Sequence, residues 1–150
     1  MAIRLNGDFV VKRRPEDVYD FLTDPQKFGA LLPDTEGLVV QDATHFAIKA
    51  KVRAGFVRGT AEVKMELAEA DRPRRAKYQG QGSVPGGGMA LTAEFDLSPS
   101  DGGTKVAWQG ETQLSGALAF GGSFLESMAR KNQQKLIDSL RGALEQGIPL

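Results

Sequence analysis

The sequence contains no cysteine, a single histidine and a single tryptophan. Without cysteine the chain cannot form disulfides, thiolate metal sites or a cysteine nucleophile. One histidine also excludes most zinc sites and any chemistry that uses a pair of histidines. Net charge is absent as well, because 19 lysines and arginines face 19 aspartates and glutamates. That balance argues against a nucleic-acid binder driven by counterion release.

Long hydrophobic runs are missing too. No run of 18 apolar residues occurs, so no transmembrane helix is predicted. Residues 1–7 lack the apolar core of a signal peptide, and we therefore expect a cytoplasmic protein. A length of 150 residues with 41% hydrophobic and 25% charged residues is typical of a soluble globular protein. We expect residues 1–150 to form a single domain.

Hydrophobic periodicity predicts mostly strands. The pattern over Ile3–Lys12 indicates a first strand with a bulge or bend at Gly7. Two short helices follow, one beginning at Pro15 and one capped by Asp24. Between residues 35 and 114 the period is two, and short turns separate six strands, as in an antiparallel meander.

A long helix is predicted to end the chain. Apolar residues at helical spacing extend over Ala117–Glu145, with Glu126 and Arg130 as a favourable pair on the other side. The start has an alternative, because Ser123 and Glu126 also have the spacing of a capping box.

Specific segments carry a family resemblance that covers nearly the whole chain. They are Phe9 with Pro15-Glu16-Asp17-Val18, Phe21-Leu22-Thr23-Asp24-Pro25, Leu32-Pro33 with Gly37, Arg53-Ala54-Gly55 with Gly59, Gly80-Gln81-Gly82, Gly103 to Trp108, and Leu114 to Ala119. With these segments the sequence resembles the START-like/Bet v 1-like (SRPBCC) superfamily, and within it the CoxG-like family of carbon monoxide dehydrogenase.

The resemblance implies an α+β helix-grip fold. In this fold a curved seven-stranded antiparallel sheet wraps around a long C-terminal helix, and two short helices follow strand 1. It also implies an accessory of a CO dehydrogenase-type molybdenum oxidoreductase, peripheral to the inner face of the cytoplasmic membrane. The implied ligand is a quinone or another lipid, with no cofactor.

The predicted ligand-binding residues share an inward-facing position between sheet and long helix. They are Phe28, Leu32, Phe46, Ile48, Tyr78, Met89, Leu91, Trp108, Phe120, Phe124 and Met128. Methionines and separated aromatics suit a pocket for a flexible apolar molecule. The alternative is that these side chains fill a core, in which case the protein is an adaptor for partner proteins. The Tyr78 hydroxyl can bond either a ligand carbonyl or a backbone group.

No catalytic residue and no metal site are predicted. His45 is expected in an exposed turn near Asp42, and the paired carboxylates fall on predicted helix starts or solvated strand faces. An enzyme similar to polyketide cyclases and dehydratases is the alternative. It would use polar groups inside the cavity, where Tyr78, Thr112 and Asn132 or Gln133 are the candidates.

Two further features allow two interpretations each. The basic clusters at residues 12–14 and 72–77 are either solvated or attracted to anionic lipid or an acidic partner. The uncharged segment Leu114–Gly122 either contacts a bilayer or forms a packed corner.

Glycine is in excess, at 18 of 150 residues. Gly80, Gly82 and Gly110 fall at inward-facing strand positions, where they allow bending and leave space. The sequence therefore predicts that Gly82→Val or Gly110→Val reduces ligand binding more than folding.

Overall fold

The computed structural model describes residues 2–32, 35–54, 57–84, 86–116 and 122–145, without the side chains of 52–54, 57, 58, 84 and 122–125. Seven strands and three helices occur in these ranges. In chain order they are β1 (Ala2–Val11), α1 (Pro15–Leu22), α2 (Pro25–Gly29), β2 (Thr35–Val40), β3 (His45–Ala54), β4 (Val57–Asp71), β5 (Arg75–Val84), β6 (Gly87–Ser100), β7 (Gly103–Leu114) and α3 (Gly122–Glu145).

The strands form one curved antiparallel sheet in the order β1-β7-β6-β5-β4-β3-β2. Strands β2 to β7 pair with their sequence neighbours, as a meander requires, and β1 closes onto β7. The long helix α3 packs against β1 and β3. The predicted α+β helix-grip fold is confirmed.

The two short helices begin where the sequence predicts. Pro15 occupies the first turn of α1 with Glu16 and Asp17, whose carboxylates suit the positive end of the helix dipole. The Asp24 side chain caps α2 by accepting hydrogen bonds from two main-chain N–H groups, the shorter from Gln26 at 2.9 Å. Both helices bury an apolar face against the sheet, and this fixes their position on its concave side.

The bulge predicted at Gly7 is wrong. Strand β1 pairs with β7 in unbroken register from Ala2 to Val11, and Gly7 lies opposite Trp108. A Cβ at Gly7 would lie 2.8 Å from the indole of Trp108. Glycine is therefore needed at this position because the tryptophan ring covers it, and the backbone stays regular.

His45 differs from its predicted turn position. It is the first residue of β3 and pairs with Glu66 of β4, because the ladder already begins there. The long helix ends at Glu145 as predicted, and the described part begins at Gly122. The remaining predicted helical residues, 117–121, lie outside the described residues.

The alternation of the strands sorts their faces as predicted. On β4, Ala61, Val63 and Met65 are buried, whereas the residues between them are exposed. Tyr78 on β5 faces the same interior and is fully buried. The core therefore lies between the concave face of the sheet and the three helices.

Candidate hydrophobic-ligand site

Three of the predicted site residues belong to an aromatic cluster between α2 and the sheet. Phe28 stacks on Tyr78, with ring centroids 4.7 Å apart and planes 4° from parallel. Phe46 contacts Tyr78 edge-on at 5.8 Å, and Phe95 contacts Phe28 in the same way. All four rings are nearly fully buried. Aromatic pairs of this kind each contribute about 0.5–1.5 kcal/mol beyond burial, so the cluster stabilises the core.

The Tyr78 hydroxyl has a main-chain partner. It donates a hydrogen bond of 2.6 Å to the carbonyl oxygen of Leu22, the last residue of α1. Of the two partners that the sequence allows, the structure contains the backbone one. Burial raises the pKa of the phenol well above its usual value. Tyr78 therefore joins α1 to β5 as a neutral donor.

A second group of predicted site residues is half-buried. Leu32, Met89, Leu91, Trp108 and Met128 pack against the core and keep part of their surface in solvent. Ile48, in contrast, is buried. Phe120 lies outside the described residues, and Phe124 lies in α3 with its side chain outside the description.

Burial changes along α3. Toward its C-terminal end the inward residues Ile137, Leu140 and Leu144 are buried. Toward its N-terminal end the corresponding residues are half-buried, namely Met128, Ala129, Asn132, Gln133 and Leu136. The helix therefore seals the core at one end and leaves apolar surface accessible to solvent at the other.

Strand β6 shows the same gradient. Phe95 and Leu97 are buried, whereas the preceding inward residues Met89, Leu91 and Ala93 are half-buried. We call the inner surface formed by Met89, Leu91, Ala93, Thr112, Met128 and Ala129 the half-buried surface. Its residues come from β6, β7 and the N-terminal half of α3.

Two contacts show that the gradients in the helix and the sheet run in the same direction. The guanidinium of Arg13, just after β1, donates to the carbonyl oxygen of Leu144 at 2.8 Å. Further up α3, the Gln133 carboxamide lies against Gly110 of β7. The helix covers about 16 Å between its two contact residues, at 1.5 Å per residue. The strand covers about 20 Å from Thr104, which bonds Arg13, to Gly110. The similar lengths place α3 roughly antiparallel to β7, with both exposed ends together.

The inward glycines do not leave empty space. A Cβ at Gly80 would collide with Met65 Sδ, and one at Gly110 would collide with Gln133 Nε2. A Cβ at Gly82 would lie 2.8 Å from the main-chain oxygen of Glu62. The sequence-based expectation is therefore corrected, since at these positions glycine admits a neighbouring side chain or strand.

The single histidine lies at the surface. Its Nδ1 is 2.9 Å from Asp42 Oδ1, and its side chain is 43% exposed. The Thr44 N–H and the His45 ring lower the pKa of Asp42 to about 2. This group is remote from the inward face of the sheet and stabilises the β2–β3 turn.

The basic clusters are engaged in ion pairs and a helix cap. Arg14 pairs with Asp17, and Arg72 pairs with Asp20. Around β5 the remaining pairs follow the same principle: Arg74 with Asp71, Arg75 with Glu69, Glu94 and Asp96, and Lys77 with Glu94. Arg13 caps α3. Of the two interpretations of these clusters, the pairs favour the solvated surface over attraction to anionic lipid.

The sequence pattern did not reveal two of these roles. Arg13 belongs to a short basic run, and its distance in the chain from Leu144 hides the cap. Thr104 is fully buried, and its hydroxyl donates to the main-chain oxygen of Arg13 at 2.6 Å. A threonine at an inward position of an otherwise apolar strand is the one signal that sequence offers for it.

In the part of the chain that the structure describes, no helix is long and apolar enough to cross a membrane. Nor do the described side chains include a group of three or more His, Asp or Glu residues that can hold a metal ion. Of the segment Leu114–Gly122, residues 117–121 lie outside the described ranges. Its first residues pack tightly, because Leu114 is buried and the Ser115 N–H donates to the Gly88 oxygen.

Solved structures share this fold at low sequence identity. A conserved protein from Geobacillus kaustophilus superimposes with a TM-score of 0.82 at 18% identity, covering 97% of both chains. The Zhui aromatase/cyclase from Streptomyces sp. R1128 gives a TM-score of 0.71 at 15% identity and covers 98% of this chain and 96% of its own. A START superfamily protein from Mycobacterium smegmatis gives 0.68 at 10% identity, over 97% of this chain and 99% of its own.

Sequence comparison identifies the family. A search of curated proteins finds no match. The family profile of the carbon monoxide dehydrogenase protein CoxG matches residues 7–145, which is nearly the whole chain. The protein therefore belongs to the CoxG family of carbon monoxide dehydrogenase.

Proposed function

We propose that the protein binds a hydrophobic small molecule, a lipid or a quinone, without catalysing a reaction. The ligand lies along the half-buried surface, between β6, β7 and the N-terminal half of α3. The observation that carries this proposal is the matching burial gradient in α3 and β6, which leaves inward-facing apolar side chains partly in solvent at one end.

The half-buried surface suits such a ligand energetically. Burying one Leu or Met side chain completely is worth about 1.5–3 kcal/mol, so covering the exposed parts of several gives useful affinity. Met89 and Met128 contribute flexible, polarisable side chains that can adapt to an irregular apolar molecule.

Family membership supports a role as an accessory of a CO dehydrogenase-type molybdenum oxidoreductase. A lipid or quinone ligand would be collected at the inner face of the cytoplasmic membrane by peripheral contact. Because the basic clusters are already paired, we propose that this contact uses the exposed apolar end of the fold instead of a charged patch.

The enzyme alternative has less support. A cyclase or dehydratase needs a proton donor or acceptor beside its substrate. The hydroxyl hydrogen of Tyr78 is already donated to Leu22, and the ring is covered by Phe28 and Phe46. These contacts favour a binding protein over a Tyr78-dependent enzyme.

The experiment combines analysis of bound lipid with a matched pair of variants. Purified protein is extracted with organic solvent for mass spectrometry, and decylubiquinone is titrated while the fluorescence of the single tryptophan, Trp108, is followed. Met128→Glu puts a charge into the half-buried surface and is expected to weaken quinone binding at least about tenfold. Ser127→Glu, its exposed neighbour on α3, is the control and should bind normally. Absence of both co-purified lipid and quinone binding would overturn the proposal.

A further inference from the structure

We infer that Gln133 hydrogen-bonds the polar group of the bound molecule, and that the buried end of this ligand carries an uncharged carbonyl or hydroxyl. The inference rests on the proposed function and adds to it a specificity residue and a ligand class.

Gln133 lies in the middle of the site. Its carboxamide lies against Gly110 of β7, where any larger residue would displace it. Gly110 is flanked by Leu5 of β1 and Ala93 of β6, both half-buried. The glycine therefore lets a polar side chain reach the floor of an apolar surface.

Gln133 also marks the inner limit of the half-buried surface. One turn toward the C-terminal end of α3, Ile137 is buried, and one turn toward the N-terminal end, Ala129 is half-buried. A molecule that enters from the exposed end and follows the surface inward therefore meets this carboxamide where the sealed core begins.

The hydrogen-bonding capacity of Gln133 is unused within the described residues. Its neighbour Gln134 donates to Asp138 at 2.9 Å, whereas the Gln133 side chain has no partner among the residues the structure describes. A carboxamide offers two donor hydrogens and an acceptor oxygen. An apolar ligand that displaced water here would leave these groups unsatisfied, at a cost of about 1–3 kcal/mol. A ligand with a carbonyl or hydroxyl avoids that cost.

The surroundings favour an uncharged group. Among the described inward-facing residues of β1, β6, β7 and α3 between 126 and 136, none is ionisable. A carboxylate or phosphate held against Gln133 would thus lack a counter-charge in a partly desolvated site, which is strongly unfavourable. Thr112, two residues beyond Gly110 on the same face, adds a second neutral polar group.

The test compares three probes by titration calorimetry. They are 2-decyl-1,4-naphthoquinone, 2-decylnaphthalene, which lacks both carbonyls, and dodecanoate, which is charged. The wild-type protein is expected to bind the quinone about tenfold more tightly than either other probe, the equivalent of one good hydrogen bond. Gln133→Leu should remove about tenfold of quinone affinity and leave decylnaphthalene binding unchanged. Gln134→Leu, on the exposed face of the same helix, should match the wild type.

The outcomes separate the two proposals. If Gln133→Leu keeps the full preference for the quinone, or if dodecanoate binds as tightly as the quinone, the inference is overturned while hydrophobic binding stands. Equal binding of quinone and decylnaphthalene by the wild type has the same meaning. If the wild type binds none of the three probes, the proposed function itself is overturned.

Discussion

Arg13 Nε donates a hydrogen bond of 2.8 Å to the carbonyl oxygen of Leu144, which joins the segment after β1 to the last turn of α3. The main-chain oxygen of Arg13 accepts in turn from the buried hydroxyl of Thr104 on β7. A cation at a helix C-terminus is favoured by the dipole and satisfies carbonyls that have no partner within the helix. These contacts close the sealed end of the fold, opposite the half-buried surface.

Arg13→Ala is expected to lower the free energy of unfolding by about 1–2 kcal/mol, because it removes a charge-assisted hydrogen bond and the favourable dipole contact. Arg14→Ala is the matched control, since Arg14 is exposed and forms a surface ion pair with Asp17. It should change stability little. Urea unfolding followed by circular dichroism measures both, and an equal loss in the two variants would contradict the capping role.

Tyr78→Phe is expected to cost about 1–2 kcal/mol of stability, because the Leu22 carbonyl loses its donor in a buried site. Tyr19→Phe serves as the control, since that hydroxyl has no hydrogen-bond partner within the described part of the chain. Quinone affinity, measured by calorimetry well below the unfolding transition, should be unchanged in both variants. A loss of affinity in Tyr78→Phe would instead indicate contact between the phenol and the ligand.

The structure separates the two glycines that the sequence treats alike. Gly82→Ala brings Cβ to 2.8 Å from the Glu62 main-chain oxygen, so the sheet must shift, and we expect a loss of about 1–3 kcal/mol. At Gly110 the obstacle is the movable end of Gln133, so Gly110→Ala should cost less stability and weaken quinone binding more. Thermal unfolding and calorimetry on both variants test this, and the reverse order would show that the contacts are misassigned.

Asp42 should titrate at about 2, because the Thr44 N–H and the His45 ring stabilise its carboxylate and lower its pKa. Its contribution to stability is therefore present above about pH 4, the usual range for aspartate, and is lost as the pH falls toward 2. His45→Ala should raise this pKa part of the way, since the Thr44 N–H remains. Carboxyl-carbon NMR during an acid titration measures it, and a pKa near 4 in the wild type would refute the assigned hydrogen bonds.

Local patterns predicted most of the fold. Alternation on β4 and β5 identified the buried faces, and Pro15 and Asp24 marked the two helix starts because these signals act within a few residues. The Glu126–Arg130 pair, with 3.0 Å between Arg130 Nη2 and Glu126 Oε1, follows from helical spacing alone.

Contacts distant in the chain were not predictable in the same way. Gly7 was expected to bend its strand, but its size is explained by Trp108 on a strand that follows about a hundred residues later. The space expected over Gly80 and Gly110 is taken by Met65 and Gln133, which only the register and the placement of α3 bring there.

By itself the sequence determined the order of the elements, the polar and apolar faces and the family, because each depends on spacing along the chain or on matched motifs. The tertiary structure decided which inward residues are sealed and which remain half-buried, since burial depends on how α3 lies across the sheet. It also decided that Arg13 caps a helix and that Tyr78 bonds the backbone of Leu22. A side chain's partner is set by the folding of remote segments onto one another, which no local pattern contains.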